Sequence, residues 1–384
     1  MKSPDLSDLF LSFLRLGITA FGGPAMVVYI RDLAVRRQGW LDESTFDDGV
    51  ALCQSIPGAT AMQTAAYVGL KSRGVWGALI AFIGFGLPAF FFMTALSSLY
   101  LRYHTLHAAL ALFSVLQVIV VALVANAALL LGRGLMKRPA QIGLALVSAL
   151  LFAVGASPFL VILLGAALGA LFLRVKRRGG SPQGAYHTPL DVRPILLVAL
   201  FVAAGMYGAF AVSPRLFEVA LAMFKIDCFA FGGGFGALPL MLHEVVAVKG
   251  WMTGPTFMDG IALGQVTPGP IMITATFVGY LTEGIRGAVV ATGAVFAPSF
   301  LFLLITTPLF DRLKSSTYFV AATKGAFATF LGLLLFMTVK FAFLVPWDYT
   351  RVAIAMLAFA ALLKKVDTFY IVVAGAVLSL LVFR

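Results

Sequence analysis

"KIDCFAFGGGFGALPL", Lys225–Leu240, places three successive glycines inside an otherwise apolar run. Each glycine weakens a helix by roughly 1 kcal/mol relative to alanine, so the interruption needs a reason. A second copy sharpens the point, because "TAFGGPAMVVYI", Thr19–Ile30, carries the same Phe-Gly-Gly break in the other half of the chain. Aligning Phe21-Gly22-Gly23 on Phe231-Gly232-Gly233, an offset of 210 residues, puts Arg15 on Lys225 and Pro88 on Pro298. Between them, with a one-residue slip, Trp40, Phe46, Asp48, Gly49, Gln54, Pro57 and Gly58 fall on Trp251, Phe257, Asp259, Gly260, Gln265, Pro268 and Gly269. The chain is an internal duplication.

Composition sets the medium. Of 384 residues 61% are hydrophobic and 11% charged, with a mean hydropathy of +1.00, whereas soluble domains carry about 25% charged residues. Apolar segments of bilayer length recur from Leu9 onward, which predicts an all-α integral membrane protein of about 12–13 transmembrane segments. The runs are too long and continuous for the strands of a β-barrel. "MKSPDLSDLF" makes a poor signal-peptide start. The net charge of +12 sits in short loops, including Lys71 and Arg73, Arg133, Lys137 and Arg138, and Arg312 and Lys314. That is the positive-inside pattern and not a nucleic-acid footprint. It predicts a multi-pass protein of the cell membrane with a cytoplasmic N-terminus. The basic linker "RVKRRGGSPQGAYHTPLDVRP" (174–194) is then cytoplasmic too, or reads alternatively as a lipid-headgroup patch. Cys53 and Cys228 form no metal or disulfide pattern, and neither a metal nor a cofactor is expected.

The organisation expected is a first repeat over 1–178, a basic linker and connecting helix over 179–213, and a second repeat over 214–384. The first copy begins at the first span and the second at the eighth, so an odd number of crossings inverts one repeat relative to the other. Inverted repeats with broken helices are the signature of secondary transporters, with the site where the repeats meet. Broken helices free backbone N–H groups that protein, water or ligand must satisfy, and half-helices starting at Gly22-Gly23-Pro24 or Gly232–Gly234 would aim positive dipole ends inward. The alternative is close helix packing through small residues. Whether the broken segments span the bilayer or re-enter it stays open at this point.

Three sets of residues supply candidate chemistry. Arg15 and Lys225 lie six residues before their breaks; a cation inside a span is costly and marks a pathway unless it snorkels. Asp227 or Glu218 is placed to neutralise Lys225. "CQSIPGAT" (53–60) and "GQVTPGPI" (264–271) pair a proline-glycine break with Gln54 and Gln265, and Thr267, Thr274 and Thr276 add hydroxyls. This donor-rich, mainly uncharged set suits an oxyanion better than a metal cation, although Gln and Thr also bond neighbouring helices. Asp48 and Asp259 read as helix N-terminal dipole partners or as proton carriers for H+-coupled transport.

"RLGITAFGGP", "KIDCFAFGGGFGALPL" and "GWMTGPTFMDGIALGQVTPGPIMITATFVGY" together resemble the chromate ion transporter (CHR) family. The resemblance implies a two-repeat membrane transporter exporting chromate, with sulfate as the related tetrahedral anion. It implies that Arg15, the glycine breaks and the Gln-x-x-Pro-Gly elements matter, and with the reading of the residues the expected substrate-binding set is Arg15, Phe21, Gly22, Gly23, Gln54, Pro57, Gly58, Lys225, Phe231, Gly232, Gly233, Gly234, Gln265, Thr267, Pro268, Gly269 and Pro270. Three positions depart from the family pattern: Ala59 where a second proline is typical, Asp227 where glycine is usual, and Cys53 opposite Gly264. The expected function is a secondary transporter of an inorganic oxyanion working by alternating access, and the competing reading is an anion pore with a fixed filter at the glycine breaks. No nucleotide motif and no nucleophile–base set supports an enzyme. The partners expected are the anion, the lipid bilayer and H+, with a homodimer left open.

Overall fold

The computed structural model describes residues 4–21, 25–135, 139–173 and 192–382. Among these residues the secondary structure is helical throughout. At both proline-glycine breaks and at the second Phe-Gly-Gly break the chain reverses rather than kinks. α1 (Leu6–Thr19) is followed after the break by α2 (Ala25–Arg31) and a π-helical turn (Asp32–Arg37). Next come α3 (Glu43–Ser55) and α4 (Thr60–Tyr103). A Cβ on Gly49 would run into the Tyr67 ring, although those residues would stand roughly 27 Å apart on one straight helix. α3 and the start of α4 are therefore the arms of a hairpin whose tip is Pro57-Gly58.

α4 reverses a second time. Arg73 (φ −145°, ψ 24°) and Gly74 (φ 65°, ψ −156°) leave helical geometry, and Gly69 then packs directly on the Gly77 backbone. The conformation at Gly74 is open to essentially glycine alone. The first arm (60–72) returns to the surface and the second (75–103) is long enough to cross a bilayer.

α5 (His107–Leu135), α6 (Pro139–Ala153) and α7 (Pro158–Phe172) complete the first half. α8 (Val192–Val212) packs mainly on α9 and α12 and leaves Leu196, Phe201 and Tyr207 exposed. The second half repeats the order. α9 (Pro214–Cys228) is followed by α10 (Gly234–Met241) with a π-helical turn (Leu242–Val248), then α11 (Gly254–Val266) and α12 (Thr274–Thr306). α12 reverses at Glu283 (φ −141°, ψ 25°) and Gly284 (φ 61°, ψ −149°), nearly the angles of Arg73 and Gly74. A short α13 (Phe310–Ser315) leads to α14 (Thr317–Leu344), α15 (Tyr349–Leu363) and α16 (Thr368–Val382).

Five described helices are long and apolar enough to cross a membrane, two of them the reversed helices α4 and α12. The apolar runs 9–30, 47–70, 216–241 and 258–281, each of a length that reads on sequence as one crossing, resolve into two shorter arms. For the second Phe-Gly-Gly segment, the ion pairs Lys225–Glu244 and Lys249–Glu218 tie α9 to the returning arm. Apolar stripes decide which faces pack. Leu9, Phe13 and Gly17, four residues apart, form the buried seam of α1 on α4, and a Cβ on Gly17 would meet the Phe85 carbonyl at 2.5 Å. The long helices are clasped crosswise: α6 and α7 embrace α14, while α15 and α16 embrace α5. Gly165, Gly169 and Gly325 allow backbone contact between α7 and α14. The basic linker 174–191 lies outside the described residues.

Candidate functional site at the hairpin tips

Three hairpin tips and the residue after α1, Ala20, meet inside the bundle and bond crosswise between the halves. The Gly58 amide donates to the Ala230 carbonyl at 2.9 Å, and the Gly269 amide donates to the Ala20 carbonyl at 2.9 Å. Each proline-glycine tip thus holds the residue just before the other half's Phe-Gly-Gly break. The contact needs glycine on both counts. Gly58 and Gly269 have φ of 122° and 104°, and a Cβ on Gly58 would overlap Ser299 and Gln63. Gly233 lies where a Cβ would be 3.1 Å from the Thr60 hydroxyl, and Gly234 presses on Ile271, so the second Phe-Gly-Gly tip touches both proline-glycine tips. Phe231 is half-buried with its ring 6.0 Å from that of Phe327, and Gly232 is exposed. Phe21 stacks on Phe369 with ring centroids 4.5 Å apart. Gly22 and Gly23 lie outside the described residues.

The uncharged polar candidates divide. Gln265 is 7% exposed, and its amide nitrogen has no partner among the described residues. Gln54, its counterpart, is exposed. Thr267 donates to the Gly264 carbonyl at 3.0 Å, closing its own turn, while Pro268 and Pro270 are buried beside it. Pro57 is half-buried, and its carbonyl accepts from Gln63 Nε2 at 2.8 Å. Sequence reading did not single out Gln63. It is fully buried, with its side-chain oxygen unpaired among the described residues, and its signal was a lone amide in the first turn after the break.

The two basic candidates sit in different surroundings. Arg15 is exposed on α1, opposite the Leu9–Phe13–Gly17 seam, and makes no ion pair among the described residues. Lys225 Nζ lies 2.5 Å from Glu244 Oε1 and 3.8 Å from the centre of the Phe159 ring. The partner expected for Lys225 was Asp227 or Glu218, and neither fills that role. Two residues along a helix is nearly half a turn, so Asp227 points the other way, into the protein, and Glu218 pairs with Lys249 at 3.0 Å.

The paired acids part likewise. Asp48 is exposed and bonded to Lys314 at 3.1 Å. Asp259 is buried and accepts from Tyr100 Oη at 2.9 Å and Gln117 Nε2 at 2.8 Å. The helix-end role expected of these acids belongs instead to Asp42 and Thr253, which accept from the amides of Thr45 and Thr256. A separate groove of about 590 Å³ between α8 and α9 is lined by Val202, Met206, Phe210 and other largely apolar side chains, with Tyr207 among them and no charged group.

The family model described as "Chromate transporter" matches residues 7–170 and again residues 217–380. The chain belongs to the chromate transporter family. This is a family of transporters and not of enzymes, and its model fits each half of the chain once. The chain is 41% identical to an uncharacterized transporter of Methanocaldococcus jannaschii, over 99% of this chain and 95% of that protein. It is 31% identical to a chromate transport protein of Pseudomonas aeruginosa, over 98% and 92% of the two chains. A chromate transport protein of Cupriavidus metallidurans is 30% identical over 97% and 92%. No solved structure matches the chain.

Proposed function

We propose that this protein carries chromate, with sulfate as a second tetrahedral oxyanion, out of the cell by alternating movement of two inverted repeats, 1–178 and 214–384. The observation that carries the reading is the crossed pair of hydrogen bonds, Gly58 to Ala230 and Gly269 to Ala20. These bonds make each half's tip part of the other half's break, so a shift of one repeat against the other remakes the centre. Inversion is supported by α8, a single long apolar helix between two halves of the same element order. With one unpaired crossing between them, the halves start on opposite faces, the N-terminus on the cytoplasmic side.

The tips suit an oxyanion because they concentrate uncharged donors. Reversed segments free backbone amides, Gln265 keeps an unpaired amide nitrogen, and the start of α10 brings a positive dipole end. Arg15, which makes no ion pair among the described residues, attracts the anion towards the membrane protein, whereas Lys225 is already neutralised by Glu244. Chromate and sulfate share charge and shape, so such a site accepts both.

The test is saturable uptake of labelled chromate and sulfate into proteoliposomes. The wild type should show uptake stimulated by anion on the opposite side, and Arg15→Ala and Gln265→Leu should lose most of it. Uptake that never saturates and ignores trans anion would replace the carrier with a fixed pore. No uptake of either anion by folded protein would overturn the substrate assignment.

A further inference from the structure

Two of the positions that depart from the family pattern, Ala59 and Asp227, lie 168 residues apart in sequence and meet in one hydrogen-bonded chain. Asp227, at the end of α9, is fully buried. Its carboxylate accepts from the Ser299 amide at 2.6 Å and from the Ser299 hydroxyl at 3.0 Å. The same Ser299 oxygen accepts from the Ala59 amide at 2.8 Å, so the line runs from Asp227 through Ser299 to the Pro57–Ala59 tip.

The other half lacks every link. Gly17, Ala89 and Pro270 stand at the positions of Asp227, Ser299 and Ala59. They supply no carboxylate, no hydroxyl and no amide hydrogen, and Gly17 and Gly269 pack there directly against Pro88 and Ala89. Three coordinated differences between two otherwise matching junctions mark one as specialised. The repeat shows that the hydrocarbon version of this junction already folds, so the polar chain is not needed to build it.

We propose that Asp227 is a proton-binding site whose protonation is coupled to the position of the Pro57–Ala59 tip. The inference rests on the transporter reading above and assigns its coupling ion. Ionised, Asp227 accepts both Ser299 hydrogens and leaves the Ser299 oxygen free to hold the Ala59 amide. Protonated, the carboxyl group becomes a donor towards Ser299, the serine hydrogen must turn elsewhere, and the hold on the tip is remade. A ligand that binds one arrangement better shifts the balance between them, and the tip in turn shifts proton affinity.

A metal cation fits poorly. The Ser299 amide, the Ser299 hydroxyl and the Ala59 amide all direct hydrogens into the site, and the serine oxygen is already occupied. Among the described residues no cation faces Asp227 to compensate its charge. Its own helix brings the Cys228 thiol, and Lys225 is engaged by Glu244. α12 brings Ser299, and the tip brings Ala59 and Gln63.

The experiment uses full-length protein in proteoliposomes, with labelled sulfate and chromate and a pH-sensitive dye inside. Two readings are compared: exchange of anion at equal pH, and anion accumulation with proton movement under a pH gradient. Asp227→Asn should retain exchange while pH-driven accumulation falls by about tenfold or more, a usual size for coupling between sites. The triple variant Asp227→Gly, Ser299→Ala, Ala59→Pro copies the first half's junction, and should fold and lose proton movement in the same way. Infrared spectra of the purified protein over a pH series should show a protonated-carboxyl band that disappears in Asp227→Asn. Proton-driven accumulation equal to wild type in both variants, or no such band, overturns the proposal. Wild-type exchange that ignores a pH gradient also overturns it and leaves the transporter reading standing. An Asp227-dependent band in a protein that moves neither anion would sustain the proton site and sink the substrate assignment instead.

Discussion

Gly58→Ala adds one methyl group where two hairpin tips cross. The residue has φ of 122°, which an alanine adopts only with strain of about 1–3 kcal/mol. The new methyl would also overlap the Ser299 hydroxyl and the Gln63 amide, and overpacking of this kind adds about 1–3 kcal/mol. Relief requires the tip to back away, which stretches the Gly58–Ala230 and Ala59–Ser299 hydrogen bonds. The total comes to about 4 kcal/mol. Gly74→Ala is the internal control. Gly74 has φ of 65°, but a Cβ there meets nothing within 4 Å, so it carries strain alone, about 2 kcal/mol. The difference of about 2 kcal/mol corresponds to roughly a thirtyfold change in an equilibrium constant. The assay is the thermal midpoint of the monodisperse protein in detergent, paired with anion exchange per folded molecule. Gly58→Ala should be the worse of the two on both scales, with Gly269→Ala, which meets only the Ala89 methyl, between them. If Gly58→Ala matches Gly74→Ala in midpoint and exchange, the crossed tips are not tightly joined and the reasoning fails.

Two further outcomes follow from charged groups. Lys225→Ala leaves Glu244 buried without its partner and should cost about 1–3 kcal/mol, while Lys225→Ala with Glu244→Ala, which gives the arm the alanine found at position 34 in the other half, should recover much of it; a double variant that still fails to transport would return Lys225 to the anion path. Asp42 is held down to about 2 by the Ser44 hydroxyl and by the amide and hydroxyl of Thr45, so its stabilisation is complete above pH ~4 and lost as pH falls towards about 2. Asp42→Ala should weaken the protein at neutral pH and flatten that acid limb in a pH series of thermal midpoints, whereas a variant with the wild-type limb would show that the cap bears no load.

The sequence alone determined the medium, the duplication and the places where helices stop. Composition points away from a water-facing surface, the matched stretches expose the repeat, and the Phe-Gly-Gly and Pro-Gly pairs interrupt helices, although single prolines such as Pro88 and Pro298 lie inside them. It did not determine what the chain does after each stop. A helix that resumes and a helix that turns back leave the same apolar run, the same break and a second apolar run, and only contacts such as Gly49 on Tyr67 or Lys225 on Glu244 distinguish them. The opposed directions of Lys225 and Asp227 were legible, since two positions along a helix face away from each other. Their partners were not, because Glu244 and Ser299 are brought in by other segments. The crossing of the tips was likewise a tertiary decision. Gly58 and Ala230 carry no mark of each other locally, and their hydrogen bond forms because a freed amide that is buried must find a partner, here the carbonyl that the facing half leaves bare.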